Sequence, residues 1–438
     1  MTIETRLRMT GGQYSVMLDI LKENPAAYGY CGFGFHETDD AYRYSFSVYG
    51  DFSAKANNDP KYKKLISIKV TVGDGAKDTD DKQKPCYPLD RTDIQELSVS
   101  VSSSDHSIFA RLTNSKGSFN IDKVSVAGSD IFFWDHDKSA CFDRNIGQSA
   151  LQAFGELTIS ILSKLCIGIV GVSGTGSIVT ELLYRLGSGS IVLVDNDITE
   201  ERNLNRIINS HVGHAGSQTL KVEVQKEAID RSGLNVSAEP IGTDLMVPET
   251  IRRLSQCDVI FGCMDSVDGR HVLNKLCTYY CIPYFDLGVG LDADGRGGIR
   301  QIAGAVHYLI PGTSSLKTRG VYTDEDLYSA IMKRDDPEQY RSQLKEKYIK
   351  GVDEERPAVI SVNTLIASLA VNDFLARLHP YRDDPNEDIE AIVFSLSQMR
   401  FAGLNDKYTK DEYLSRYAGI GDSSPLLGMT GLSEVKEQ

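Results

Sequence analysis

Apolar positions in the second half of the chain gather into short unbroken runs. Leu165-Cys-Ile-Gly-Ile-Val, Ile191-Val-Leu-Val and Val259-Ile-Phe-Gly-Cys-Met read as strands buried on both faces, as in a parallel sheet. A glycine turn and a helical stretch separate the first two runs. Helical spacing also marks Gln148–Lys164, Val222–Ile229 and Ser361–Leu378, the last with Ser361 or Asn363 as its cap. Pro283–Gly288, Ile299–Leu309 and Ala391–Leu396 add strands. The first half differs. Helical spacing at Tyr14–Leu21 gives way to alternating runs at Ala41–Tyr49, Lys64–Val72, Glu96–Ser102, Ser107–Leu112 and Asp122–Val126, and Gly73–Lys84 reads as a solvated loop. The pattern predicts an α/β domain over residues 141–438 preceded by a smaller α+β domain over residues 1–140. Between Pro311 and Pro357 it predicts no compact element beyond a charged helical stretch near Glu338–Lys350.

The junction of the first buried strand carries chemistry. Gly171-x-x-Gly174-x-Gly176 follows it directly, and Asp195 closes the next strand nineteen residues after the third glycine. Glycines there permit a tight turn and close backbone approach to a phosphate. The helix start supplies N–H groups, and the carboxylate reaches a ribose hydroxyl. A bound adenosine phosphate is implied. One reading is a nicotinamide-dependent oxidoreductase. Asp197, Asn203, Arg206, Lys221 and Asp265, however, follow strand ends on the side where such sheets bind ligands. Hydride transfer has no need of those cations, whereas nucleotidyl transfer must neutralise a departing pyrophosphate.

These motifs, with Asn203-Leu-Asn-Arg206, Asp265-Ser-x-x-x-Arg270 and the late segment from Pro357 to Val371, resemble the ThiF-type, ubiquitin-activating-enzyme superfamily over roughly residues 141–428. Ser173 stands where a glycine is common. The resemblance implies a Rossmann-like adenylation domain that uses ATP and Mg²⁺ to activate the C-terminal carboxylate of a ubiquitin-like protein in a bacterial conjugation pathway. Implied roles place Gly171, Gly174, Gly176, Asp195, Asp197 and Asn203 on the nucleotide. Arg206, Lys221 and Asp265 act on the reaction, with Asp265 also the metal ligand. Arg144 would act as an arginine finger reaching a partner subunit, which implies a homodimer. A conjugating enzyme is a further implied partner, and residues 311–357 would form the crossover connection over the substrate tail. Gly297 and Gly298 suit either an approaching peptide or a hairpin turn. The first half, through Phe109-Ala-Arg-Leu, Gly117-Ser-Phe and Ile131-Phe-Phe-Trp, resembles a JAB-type deubiquitinase domain in degenerate form. Its only candidate ligand set, Asp105-His106-Ser107, lacks the second histidine a zinc site needs. A catalytically silent scaffold for a ubiquitin-like protein and its conjugating enzyme is the remaining alternative.

Composition narrows the classes further. A formal charge of −14 argues against nucleic-acid or anionic-membrane surfaces as partners. No apolar run approaches the roughly 18 residues of a membrane helix, and Met1–Thr10 carries no signal-peptide core. Eight cysteines without a Cys-x-x-Cys pair suit a reducing cytoplasm and predict no structural zinc. None follows Cys281, where a thioester-forming relative would place its nucleophile. Cys257, Cys263, Cys277 and Cys281 read as core, with Cys277 and Cys281 on one helix face. The substrate protein, the final acceptor and the role of the first domain are not readable from the residues.

Overall fold

The computed structural model describes residues 4–23, 26–37, 43–53, 65–73, 93–102, 107–135, 148–294, 296, 298–345, 359–405 and 408–432. Two sheets organise them. The first holds β1 (Glu4–Thr10), followed by helix α1 (Gly11–Glu23), then β2 (Ala26–Glu37), β3 (Arg43–Ser53), β4 (Leu65–Gly73), β5 (Ile94–Ser102), β6 (Ile108–Asn114), β7 (Gly117–Asn120), β8 (Lys123–Ala127) and β9 (Ile131–Asp135). Their order is β7-β6-β5-β4-β2-β3-β1-β8-β9, with β1 parallel to both neighbours.

The second sheet begins after helix α2 (Gln148–Leu162). It comprises β10 (Cys166–Val170), α3 (Gly174–Arg185), β11 (Ser190–Val194), α4 (Val212–Gly216), α5 (Lys221–Ser232), β12 (Ser237–Ile241), α6 (Pro248–Leu254), β13 (Val259–Gly262), α7 (Val267–Tyr279), β14 (Tyr284–Ala293) and β15 (Ile299–Leu309). Helices α8 (Asp324–Asp335), α9 (Pro337–Lys345) and α10 (Ile360–Leu378) and strands β16 (Ala391–Ser395) and β17 (Arg400–Leu404) complete it. The order is β12-β11-β10-β13-β14-β15-β16-β17, parallel from β12 to β14 and antiparallel beyond. The chain winds outward from β10 through β11 to β12, then returns to β13 on the other side. That reversal makes the β10/β13 boundary the topological switch point, where the crevice outside the strand ends binds ligands. Ile167, Ile169, Phe261 and Phe285 pack under α3 and α10 on one face, and Val170, Val192 and Ile260 pack against α6 and α7 on the other. Burial on both faces is why these strands are unbroken apolar runs.

Several expectations change. Helix α8 was not anticipated, although Thr323 caps it by accepting from the Asp326 N–H, with the Asp326 carboxylate bonding back. Helix α10 starts at Ile360 with Val359 as its cap, so neither Ser361 nor Asn363 has that role. Cys281 lies beyond α7 in a left-handed turn (φ 52°), off the helix that carries Cys277. Gly298 donates its N–H to Asp294 Oδ1 in the β14–β15 turn, which favours the hairpin over the peptide approach. Gly297, Arg144, His106, residues 74–92 and residues 346–358 lie outside the described residues.

Strand β1, which the sequence pattern did not predict, is the joint between the two halves. Leu7 and Met9 enter the first core, while Arg6 and Arg8 point the other way and are also buried. Arg6 bonds the Gln256 carbonyl (2.6 Å) and Asp258 Oδ1 (3.2 Å). Arg8 donates to the carbonyls of Ser255 (2.7 Å) and Cys257 (3.0 Å), and to that of Tyr280 at the end of α7. Lys123 and the Cys166 N–H complete the shell around Asp258 Oδ2, at 3.2 and 2.8 Å. Burial alone would raise the Asp258 pKa, but Arg6 and Lys123 outweigh it and hold the carboxyl down to about 2.

Removing one member of a buried ion cluster strands the others. Asp258→Ala should therefore destabilise the chain by about 3–5 kcal/mol in urea unfolding, whereas Arg185→Ala, breaking an exposed pair with Glu181, should cost under about 1 kcal/mol. Because the folded pKa of Asp258 is depressed, its stabilisation is complete above the ordinary value of 3.8 and is lost as pH falls through about 2. An Asp258→Ala protein that unfolds at the wild-type urea midpoint would refute this role.

Candidate active site

Strand β10 ends at Val170, and Gly171 turns the chain at φ 84°, a left-handed geometry that favours glycine. Its N–H bonds the Val194 carbonyl of β11 (2.8 Å). Five residues later Gly176 sits against the Gly171 carbonyl. A Cβ there would lie 1.9 Å from that oxygen, so only glycine allows α3 to start this close to the strand. Ser173, the residue before α3, makes no side-chain cap. The first N–H groups of the helix are thereby left to the crevice.

The crevice is a cleft of about 1020 Å³. Its walls include nine of the ten positions expected from sequence, if Gly176 behind the turn is counted with the lining residues Gly171, Gly174, Asp195, Asp197, Asn203, Arg206, Lys221 and Asp265. Arg144, the tenth, lies outside the described residues.

Each side chain has a distinct setting. Asp195 accepts the Val172 N–H at Oδ2 (2.7 Å) and the Asp197 N–H at Oδ1 (2.9 Å), which fixes its carboxylate at the end of β11. Burial raises its pKa, with Lys221 and the two N–H bonds opposing the rise. Lys221 is buried at the start of α5 and bonds Asp197 Oδ2 (2.6 Å). Asn203 is buried, and its side-chain Oδ1 accepts the Glu200 N–H (3.1 Å) within a single 3₁₀ turn. Arg206 bonds only the Arg202 carbonyl (2.8 Å) and Asn205 Oδ1 (3.4 Å), and has no carboxylate partner among the described residues. Asp265, exposed after β13, likewise has no ion-pair or hydrogen-bond partner among them.

Sequence reasoning assigned no function in the cleft to Arg270, quoted only within a motif, to Arg334, or to Asn363, expected only as a helix cap. Arg270 forms a two-point ion pair with the fully buried Asp286, which also accepts the Tyr284 hydroxyl (2.9 Å). Arg334 of α8 bonds Asp268 (2.8 Å) and brings the segment after β15 to the rim. Asn363 of α10 faces the glycine turn. The acidic partner at β14 was a sequence clue for Arg270; α8 and its arginine carried only their capping pattern. Cys263 also lines the cleft, but burial, with Asp286 adding to it, pushes its thiol far above the ordinary range.

A parallel sheet with a glycine turn and cleft at its switch point defines a Rossmann-like α/β protein. The ThiF family model matches residues 143–412, and the chain belongs to the ThiF family. Among curated relatives it is 28% identical over 159 residues to ubiquitin-like modifier-activating enzyme 5 of Oryza sativa subsp. japonica, covering 34% of this chain and 36% of that protein. It is 29% identical over 150 residues to the adenylyltransferase and sulfurtransferase UBA4 of Meyerozyma guilliermondii, covering 34% and 35%. The chain thus matches about a third of the length of these relatives. Among solved structures, E. coli MccB with ATP aligns at a TM-score of 0.46 and 17% identity, over 62% of this chain and 74% of that one. The microcin C7 biosynthetic enzyme MccB with N-formylated MccA aligns at 0.48 and 19%, over 61% and 74%.

The Gly176 contact is testable. Gly176→Ala drives a Cβ into backbone that cannot yield, and should destabilise by about 1–3 kcal/mol and abolish nucleotide binding by calorimetry. Gly216→Ala, whose Cβ meets nothing within 4 Å, should change neither. Wild-type melting and binding in Gly176→Ala would contradict the packing argument.

Proposed function

We propose that the cleft adenylates the C-terminal carboxylate of a ubiquitin-like protein, with ATP as the second substrate. The observation that carries this reading is the pairing state of the charges in a ThiF-family cleft: Arg206 has no carboxylate partner and Asp265 has no cation among the described residues, although both line one crevice. A guanidinium without a counter-ion suits phosphate oxygens. A free carboxylate suits a metal shared with those oxygens.

The attacking group is a peptide carboxylate, ionised at neutral pH because its pKa is about 3.5, so no general base is required. One of its oxygens forms a bond to the α-phosphorus, and the bond from that phosphorus to the bridging oxygen of pyrophosphate breaks. The products are an acyl-adenylate and pyrophosphate. Catalysis then lies in alignment and in charge neutralisation. Asp195 would hold the ribose, and Gly171 and Gly174 the backbone side of the phosphates. Asn203 would bond a phosphate, and Lys221, steadied by Asp197, would lie beside Arg206 against the leaving group. The residues fit Mg²⁺ bound mainly by nucleotide oxygens, since among the described residues Asp265 has no partner, whereas Asp195 is fixed by backbone N–H groups and Asp197 is paired with Lys221. Bound there, the ion would draw charge from the phosphate oxygens.

The reading extends to partners. Arg144 would complete the site of a second copy, making a homodimer, and a conjugating enzyme would receive the activated protein. Residues 1–140 would serve as a structural or partner-binding domain, and the whole would work in a bacterial cytoplasm.

Pyrophosphate exchange into ATP, dependent on a small protein ending in glycine, is the direct test. Asp265→Ala and Arg206→Ala should each lower it at least about 100-fold with the fold intact by circular dichroism. Exchange at the wild-type rate in Asp265→Ala would remove its metal role, and absorbance from a reduced nicotinamide with no exchange would favour an oxidoreductase. Arg144→Ala and Arg206→Ala proteins, each inactive alone, should regain partial exchange when mixed as heterodimers. Confirmed heterodimers without activity would overturn the shared site.

A further inference from the structure

We infer that the carboxamide of Asn363 binds a phosphate oxygen of the nucleotide at the glycine turn, as a neutral donor beside Arg206. This inference rests on the adenylation reading of the cleft. Helix α10 takes its start from Val359 without a side-chain cap, so Asn363, one turn in, has its own backbone N–H bonded to the Val359 carbonyl (3.0 Å) and its side chain uncommitted. The residue is only 4% exposed, lines the cleft, and has no hydrogen-bond partner for its carboxamide among the described residues. A carboxamide offers two donors and an acceptor, and those of Asn363 open onto the cleft, where a ligand can reach them.

Its position identifies the ligand class. A Cβ on Gly174, the first residue of α3, would lie 2.4 Å from Asn363 Nδ2 and 3.4 Å from Arg206 Cδ. Both side chains therefore rest on the same bare Cα, from opposite elements, at a helix start whose N–H groups are uncapped. The three donor sets converge where an anion would sit. Around Asn363 the inward face of α10 is apolar, with Val362, Ile366 and Ala367 in the core. Packing against α3 needs only another apolar residue there, whereas phosphate binding needs the amide.

Calorimetry with ATP and with adenosine, on wild type, Asn363→Ala and Asn363→Asp, separates the possibilities. For Asn363→Ala, ATP should bind about 10- to 100-fold more weakly, the range expected for a hydrogen bond to a charged group, with adenosine affinity within about twofold of wild type. Asn363→Asp keeps the shape of the side chain but turns a carboxylate toward the phosphates. It should bind ATP more weakly still, keep adenosine affinity, and melt within a few degrees of wild type. Equal losses for ATP and adenosine, or wild-type ATP affinity in Asn363→Asp, would overturn the assignment to Asn363 alone. A wild-type protein that fails to bind ATP would overturn the adenylation reading and this inference with it.

Discussion

Everything at the cleft depends on how closely α3 approaches the end of β10. The Gly171 carbonyl and the Gly176 Cα are in contact with no room for a methyl group between them. That contact draws the helix start down to the strand end and leaves its first N–H groups facing the crevice. The absence of a side chain at Gly174 then admits Arg206 from one side and Asn363 from the other. Strand β13 arrives from across the switch point, and the Cys263 carbonyl just beyond it would lie 3.0 Å from a Cβ on Gly171, a closer approach than most side chains allow, which sets the position of Asp265 two residues on. The glycine turn, the start of α3 and the end of β13 are thus held by backbone contacts, and Arg206 and Asn363 meet them at Gly174 through their side chains.

A second constraint lies at the opposite end of the sheet. Asp258 immediately precedes β13, and its carboxylate is bound by Arg6, Lys123 and the Cys166 N–H, all buried. Taking this many charges out of water is expensive, and a well-packed apolar joint would be at least as stable. What the ionic joint adds is register. Arg8 gathers carbonyls from the ends of both α6 and α7, so β1 is held against one alignment of the helices that flank β13. The β8–β9 turn makes a second attachment, where Tyr308 donates to the Gly128 carbonyl (2.6 Å) and Arg377 to the Ser129 carbonyl (2.8 Å). Arg377 lies at the end of α10, the helix that carries Asn363 at its start. The first half of the chain thereby touches both elements that meet at the glycine turn.

Where local pattern and tertiary environment agree, the sequence was legible. The runs around Ile167, Val192 and Ile260 are apolar because both sheet faces are covered, and the glycine spacing reports a steric need that no other residue meets. The clustering of Arg206, Lys221 and Asp265 followed from the strand-end rule applied to those runs. The joint at Arg6 and Arg8 was not anticipated, because charged residues alternating with Leu7 and Met9 do not by themselves show that the second face is buried against the other half of the chain. Thr323–Asp326 did carry the cap of α8, but the surrounding charged residues gave it no apolar stripe to support. Ser361 and Asn363 were read as alternative caps because serine and asparagine favour that position. The actual setting of Asn363 depends on α10 meeting α3, which no local rule contains.

The charges of the cleft sort into two kinds. Lys221 with Asp197, Arg202 with Glu200, Arg270 with Asp286 and Arg334 with Asp268 are matched within the protein, so each cation is steadied and adds little net field. Arg206 and Asp265 are not matched, either with one another or with any described neighbour. No described side chain neutralises either group. The two groups are carried by separate segments, the turn that follows the 3₁₀ helix after β11 and the end of β13, which meet the glycine turn at Gly174 and Gly171. The electrostatic balance is then completed by whatever enters. A ligand that carries several negative charges and brings its own divalent cation satisfies both residues at once, whereas a neutral or singly charged ligand leaves one of them unmatched.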